Sequence, residues 1–161
     1  MNSKFLLLFC LLQTFSLSYT RDQVQKTNIK DKALLQSNDI LNLQEFKKSN
    51  SGIHYKVTKE GTGSKPYPGE TVTVHYTGWL LEGDKLGAKF DSSKDRNQHF
   101  KFKLGQGMVI KGWELSLADM KTGETRIVIL PADLAYGAHG AGNVIPPNAT
   151  LVFEIELFDA K

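Results

Sequence analysis

The chain has 161 residues, 40% of them hydrophobic and 23% charged, which suits one domain plus an appendage and excludes a wholly disordered or collagen-like polypeptide. Twenty Lys and Arg against 17 Asp and Glu leave a formal net charge of +3, with no long basic run to track a phosphate backbone, so nucleic acid is not an expected partner. A single cysteine excludes an intramolecular disulfide and a multi-cysteine zinc site.

The chain begins with a positive residue, Lys4, followed by an apolar run over 5–12 and a small-x-small end at Ser16 and Ser18. That run is too short to cross a hydrocarbon core, which takes roughly 20 residues. It has the make-up of a secretory signal peptide over 1–18, cleaved before Tyr19, so the mature chain is expected to be exported, to lack Cys10 and to keep no membrane span. Residues 19–50 are polar, with isolated apolar positions such as Leu34, Leu41 and Phe46, and read as an arm or linker in which a short helix capped by Asp39 could form. Ser49-Asn50-Ser51-Gly52 reads as a hinge, and a domain is expected over 51–161.

Past the hinge the dominant period is two. Ile53, Tyr55 and Val57, then Val72, Val74 and Tyr76, then Phe100, Phe102 and Leu104 alternate with polar residues, and 125–130 and 151–158 continue the pattern. One segment differs: Ile110, Trp113, Leu117 and Met120 mark one face of a short helix ending near Gly123. Strands that are not interleaved with helices, plus one amphipathic helix, predict an α+β architecture: an antiparallel sheet packed over that helix.

Reactive chemistry is hard to find in this sequence. The four histidines, His54, His75, His99 and His139, are far apart and none has the i, i+4 spacing of a helical metal pair. Gly105-Gln106-Gly107 lacks the remaining parts of a phosphate loop, and its glycines are expected to make a turn. No Gly-x-Ser-x-Gly elbow occurs. What rises above background is a set of aromatic residues on different elements, Tyr76, Phe90, Phe100, Phe102, Trp113, Tyr136 and Phe153, with Asp91 directly after Phe90 and Arg96 five residues on. A carboxylate among aromatics needs polar partners, and Tyr76, Tyr136 and Arg96 are eligible. The pattern suggests an apolar pocket with a few fixed polar groups.

The successive motifs His75-Tyr76-Thr77-Gly78, Phe90-Asp91-Ser92-Ser93, Phe100-Lys101-Phe102, Val109-Ile110-Lys111-Gly112-Trp113, Ala135-Tyr136-Gly137 and Ile145-Pro146-Pro147-Asn148-Ala149-Thr150-Leu151-Val152-Phe153 resemble those of the FKBP-type peptidyl-prolyl isomerases, the macrolide-binding immunophilins. The resemblance runs in order from about Ser51 to Lys161. It implies a five-stranded antiparallel half-barrel wrapped around one short helix, and as substrates proline-containing polypeptides, with macrolides of the rapamycin class as inhibitors and no cofactor or metal. It also implies roles: Trp113 as the proline-binding floor, walls from Tyr76, Phe90, Phe100, Val109, Ile110 and Phe153, and Val144 and Ile145 as an apolar pair in the loop before Pro146. The Ile110 backbone N–H and the Tyr136 hydroxyl would donate to ligand carbonyls, Asp91 would lie beside the twisted amide, and Arg96 would pair with Asp91; Asp91, Tyr136 and Trp113 are thus the implied catalytic set.

Three places depart from the family pattern. The segment from Leu80 to Lys89 is longer than in compact members, Ala141 stands where such members often carry His, and Met108 replaces a common acidic residue. Two functions fit these residues, an isomerase of X-Pro bonds and a proline-binding module or holdase with incidental turnover, and the aromatic set with Asp91 favours the isomerase. The arm is short for a helical dimerisation element, so a monomer is expected.

Overall fold

Alternating side chains can bury one face only if the strands pair, and here they pair into one antiparallel sheet. The computed structural model describes residues 35–161, and both the expected signal peptide over 1–18 and the first part of the arm lie outside the described residues. The strands are β1 (Lys47–Lys48), β2 (His54–Lys59), β3 (Thr71–Glu82), β4 (Lys85–Ser92), β5 (Phe100–Lys103), β6 (Thr125–Leu130) and β7 (Leu151–Ala160). Their order is β1-β2-β6-β7-β3-β4, with β5 also paired to β3. Among the described residues the α-helix is α1 (Lys111–Asp119), and no helix there is long and apolar enough to cross a membrane.

The architecture is α+β, with a seven-stranded sheet where the sequence pattern marks five strands. The additions have physical reasons. β3 runs on to Glu82 through Tyr76-Thr77-Gly78-Trp79, four consecutive buried residues, so its alternation vanishes where both faces are covered. β4 is hidden because register shifts around Trp79 break its periodicity against β3, and because Gly87 and Ala88 carry little apolar signal. A tight turn joins the two, with Gly83 at a φ of 68°.

Trp113, Leu117 and Met120 are buried against the inner face of the sheet, among Val72, Val74, Phe102, Val128, Leu130, Phe153 and Ile155. The helix ends at Asp119, and Gly123, at a φ of 88°, turns the chain back so that its N–H donates to the Leu157 carbonyl at 2.7 Å. Gly112 lets α1 approach the sheet: a Cβ there would lie 2.7 Å from the Leu130 methyls and 3.0 Å from the Leu134 carbonyl oxygen.

Residues 35–50, expected as part of an arm, pack with the domain. Asn38 N–H donates to Leu86 O, Leu86 N–H to Asp39 O and Leu41 N–H to Asp84 O, at 2.7–2.8 Å, so this stretch lies along the outer edge of β4. Asn42, in place of the expected Asp39, caps a single 3-10 turn at Leu43–Glu45, and β1 then pairs with β2. The segment therefore touches both outermost long strands and covers backbone groups that would otherwise offer an open edge.

Leu41 is only 2% exposed. Leu41→Ala should cost about 2–3 kcal/mol by loss of buried methyl groups and the cavity left behind, read as a lower urea midpoint at unchanged slope. A variant as stable as wild type would show that the 35–50 stretch contributes nothing to the fold.

Candidate functional site

A cavity of about 200 Å³ opens between the concave face of the sheet and the N-terminus of α1, lined by Tyr76, Phe90, Asp91, Phe100, Met108, Val109, Ile110, Trp113, Tyr136 and Phe153. Four strands, the first turn of α1 and two loops supply these, the loop before α1 giving three of them. Trp113 comes from the first turn of α1, Tyr76 from β3, Phe90 and Asp91 from β4, Phe100 from β5 and Phe153 from β7. The Trp113 ring meets Tyr76, Phe100 and Phe153 edge-on, with centroids 5.0, 6.1 and 5.3 Å apart, and Phe90 meets Phe153 in the same way at 5.5 Å. Gly78 makes room for that last pair, since a Cβ there would fall 2.6–2.8 Å from the Phe90 and Phe153 rings.

The loop before the helix is held by one carboxylate. Glu114 on α1 accepts the N–H groups of Gly105 and Gly107 at 2.6 and 3.0 Å, and both glycines have positive φ. This tether presents Met108, Val109 and Ile110 to the cavity. Two donors there make no hydrogen bond among the described residues, the Ile110 N–H and the Tyr136 hydroxyl. The Trp113 indole N–H is a third donor without an acceptor, but it is buried within the ring cluster.

The polar edge of the site is a three-way contact. Asp91 accepts a hydrogen bond from the Tyr76 hydroxyl and a second from Arg96 Nη1 at 2.5 Å, while Arg96 Nη2 donates to the Tyr76 oxygen at 3.1 Å. Burial pushes the Asp91 carboxyl up, but the hydrogen bonds from Arg96 and Tyr76 and the guanidinium charge outweigh it and leave the group below the ordinary 3.8. Burial, and then the Asp91 contact, push the Tyr76 phenol up; burial and the Asp91 charge do the same to Tyr136. All these groups therefore keep fixed protonation states at neutral pH: Asp91 is an anion and both phenols are neutral donors.

Nine of the twelve residues singled out in the sequence line the cavity. Arg96 stands outside the wall and reaches the site through Asp91. Val144 and Ile145 are not in the wall: Val144 is 59% exposed on the loop, and Ile145 is buried in the core with its N–H bonded to the Ala141 carbonyl. The Gly140-Ala141-Gly142 turn curls these two away, a shape set by glycine φ values near 60° that apolar character alone does not reveal. Met108 lines the wall although the sequence pointed only to the acidic group it replaces. Among the described residues no group of three His, Cys, Asp or Glu is placed to hold a metal ion.

The model of the FKBP-type peptidyl-prolyl cis-trans isomerase family matches residues 62–158. FK506-binding protein 1 of Dictyostelium discoideum is 53% identical over 110 residues, covering 68% of this chain and 99% of that protein. An FK506-binding protein of Neisseria meningitidis serogroup B is 50% identical over 106 residues, covering 66% and 94%. Peptidyl-prolyl cis-trans isomerase FKBP4 of mouse is 50% identical over 115 residues, but the match spans only 24% of its length. Among solved structures, AtFKBP13 superposes with a TM-score of 0.65 at 36% identity over 73% of this chain and 99% of its own, and FkpA from Escherichia coli with 0.65 at 31% over 93% and 64%.

The Asp91 pairing contributes stability above pH 3.8 and loses it as pH falls through the lower folded value. The contribution is small, because the Asp91 and Arg96 side chains are 39% and 52% exposed. Its sign is nevertheless testable. In Arg96→Gln the carbon chemical shift of the Asp91 carboxyl should titrate at a higher pH than in wild type, and an unmoved midpoint would mean that the guanidinium does not set it.

Proposed function

The chain belongs to the FKBP-type peptidyl-prolyl cis-trans isomerase family, and from that premise we propose that this cavity catalyses rotation about X-Pro bonds by desolvating and clamping the proline, with no covalent intermediate. The observation that carries the reading is a small aromatic cavity whose free donors, the Ile110 N–H and the Tyr136 hydroxyl, sit on the same walls as a fixed anion at Asp91.

Rotation about X-Pro is slow because resonance keeps the amide planar, with a barrier on the order of 18–20 kcal/mol for peptide bonds in general. Twisting the bond breaks that resonance, so the carbonyl becomes less polar and the proline nitrogen pyramidal. A planar imide is solvated well by water and poorly by the rings of Phe90, Trp113 and Phe153, whereas the twisted state loses less on entering them. The rings grip the pyrrolidine while the preceding carbonyl turns. The Ile110 N–H and Tyr136 hydroxyl hold the flanking carbonyls, so only the X-Pro bond has freedom to rotate. Asp91 remains ionised beside the cavity and acts through its field, without passing a proton. No step needs a nucleophile.

Export of the enzyme is part of the same proposal. It rests on the signal-peptide pattern over 1–18 and would make secreted polypeptides the substrates, with the mature chain acting as a monomer. N-terminal sequencing of the protein isolated from the cells that make it should find Tyr19 first, and Met1 retained would remove that part. The names of the Dictyostelium and Neisseria relatives support a macrolide as a competitor for the cavity.

A chromogenic X-Pro peptide assayed with the purified chain should isomerise faster than its uncatalysed rate, and a rapamycin-class macrolide should abolish the gain. Asp91→Asn and Tyr136→Phe should each lower kcat/KM about five- to tenfold, the size of one lost hydrogen bond or charge contact. Catalysis equal to the uncatalysed reaction would overturn the isomerase reading in favour of a proline-binding module. Full activity in both variants would remove those two side chains from the mechanism.

A further inference from the structure

On one side β3 pairs with β7 from Val72 to Leu80. On the other side the ladder is broken: β5 pairs with Thr71 to Val74 and β4 takes over only at Thr77. His75 and Tyr76 therefore have no strand partner there, and Tyr76 is buried, where an unmade backbone hydrogen bond is costly.

Two serines fill the gap. The Tyr76 N–H donates to Ser93 Oγ at 2.9 Å. The Tyr76 carbonyl accepts from the Ser93 N–H at 3.1 Å and from Ser92 Oγ at 3.1 Å. Ser93 is completely buried, and its oxygen also lies 2.8 Å from His75 Nδ1. With one lone pair taken by the Tyr76 N–H, the hydroxyl still has a proton and a second lone pair for the His75 ring and the Tyr76 carbonyl at 3.3 Å, so all its hydrogen-bonding capacity has a use. His75 is itself held in place: it stacks on His99 at 4.1 Å and meets Phe158 in a T-shaped contact, and burial, His99 and Lys94 favour its neutral form against the pull of Glu156.

The same short segment carries Asp91, whose carboxylate takes the Tyr76 hydroxyl. Tyr76 is thus clamped at both ends of its length, the backbone by Ser93 and the phenol by Asp91. From this we infer that Ser93 is a positioning residue of the pocket, its buried hydroxyl completing the β3 ladder at Tyr76 and so fixing the Asp91 carboxylate relative to the cavity. The inference extends the isomerase reading and rests on it for its kinetic consequence. Ser93 touches no cavity surface; it acts through Tyr76 and Asp91.

The test uses the full chain. Ser93→Ala should lower kcat about tenfold while KM for an X-Pro peptide moves less than about twofold, because the aromatic walls stay in place. Its Asp91 carboxyl should titrate at a higher pH than in wild type, since the Tyr76 hydroxyl is one of the groups holding it down. Leu41→Ala is the comparison for simple destabilisation and should leave both kcat and the Asp91 titration unchanged. If Ser93→Ala does not fold, Ser93→Cys, which keeps a weaker acceptor of similar size, should give intermediate changes in the same two readouts. Wild-type kcat and a wild-type Asp91 titration in whichever Ser93 variant folds would overturn the inference. An inactive wild-type chain would instead overturn the isomerase reading, and the Asp91 titration would still report on Ser93.

Discussion

The contact on which the rest of this structure depends is the Trp113 indole pressed into rings borne by separate strands. A helix lying on a curved sheet must fill the concavity beneath its first turn, and the indole does so against Tyr76, Phe100, Phe102 and Phe153. The same ring lines the cavity, so the core and the candidate site share atoms. Because the surrounding rings meet it mostly edge-on, they stand up from the floor as walls rather than lying flat and closing it.

The charge of this largely apolar site is confined to the Asp91 edge. Asp91 is ionised but faces a guanidinium and a phenol, so its charge needs no further compensation from a ligand, and a neutral proline segment can enter without leaving a buried anion unpaired. The unused donors, at Ile110 and Tyr136, line the same cavity. A site with unpaired donors and a satisfied acceptor suits carbonyl-rich, uncharged polypeptide better than an acid or a phosphate.

Much of this was legible in the sequence, and the limits are instructive. Period-two alternation found β2, the first half of β3, β5, β6 and β7, and missed β4 and the second half of β3, where a run of four buried residues and register shifts around Trp79 break it. The aromatic wall was legible because such residues have few other reasons to recur on so many elements. Val144 and Ile145 lie outside the cavity wall, a placement the sequence could not show because it depends on glycine-set loop geometry. Ser92 and Ser93 were visible only as letters in a motif: small polar residues report nothing about whether they face water or complete a backbone ladder. The 35–50 stretch was read as an arm because its buried residues, Leu35 and Leu41, are too few to form a pattern.

That stretch bears on how the site keeps its geometry. The hairpin of β3 and β4 is held at its tip by the backbone bonds from 38–41 and at its base by the Asp91–Ser93 clamp on Tyr76. Between the two lie the register shifts around Trp79. A regular ladder would transmit a displacement at the tip along the strand, whereas a bulge absorbs it by bending locally. Tip and base are thus held separately, the outer end by the 38–41 backbone and the end that carries Phe90 and Asp91 by its own hydrogen bonds. The 80–89 segment lies beyond Trp79 on this hairpin and contributes nothing to the wall of the pocket.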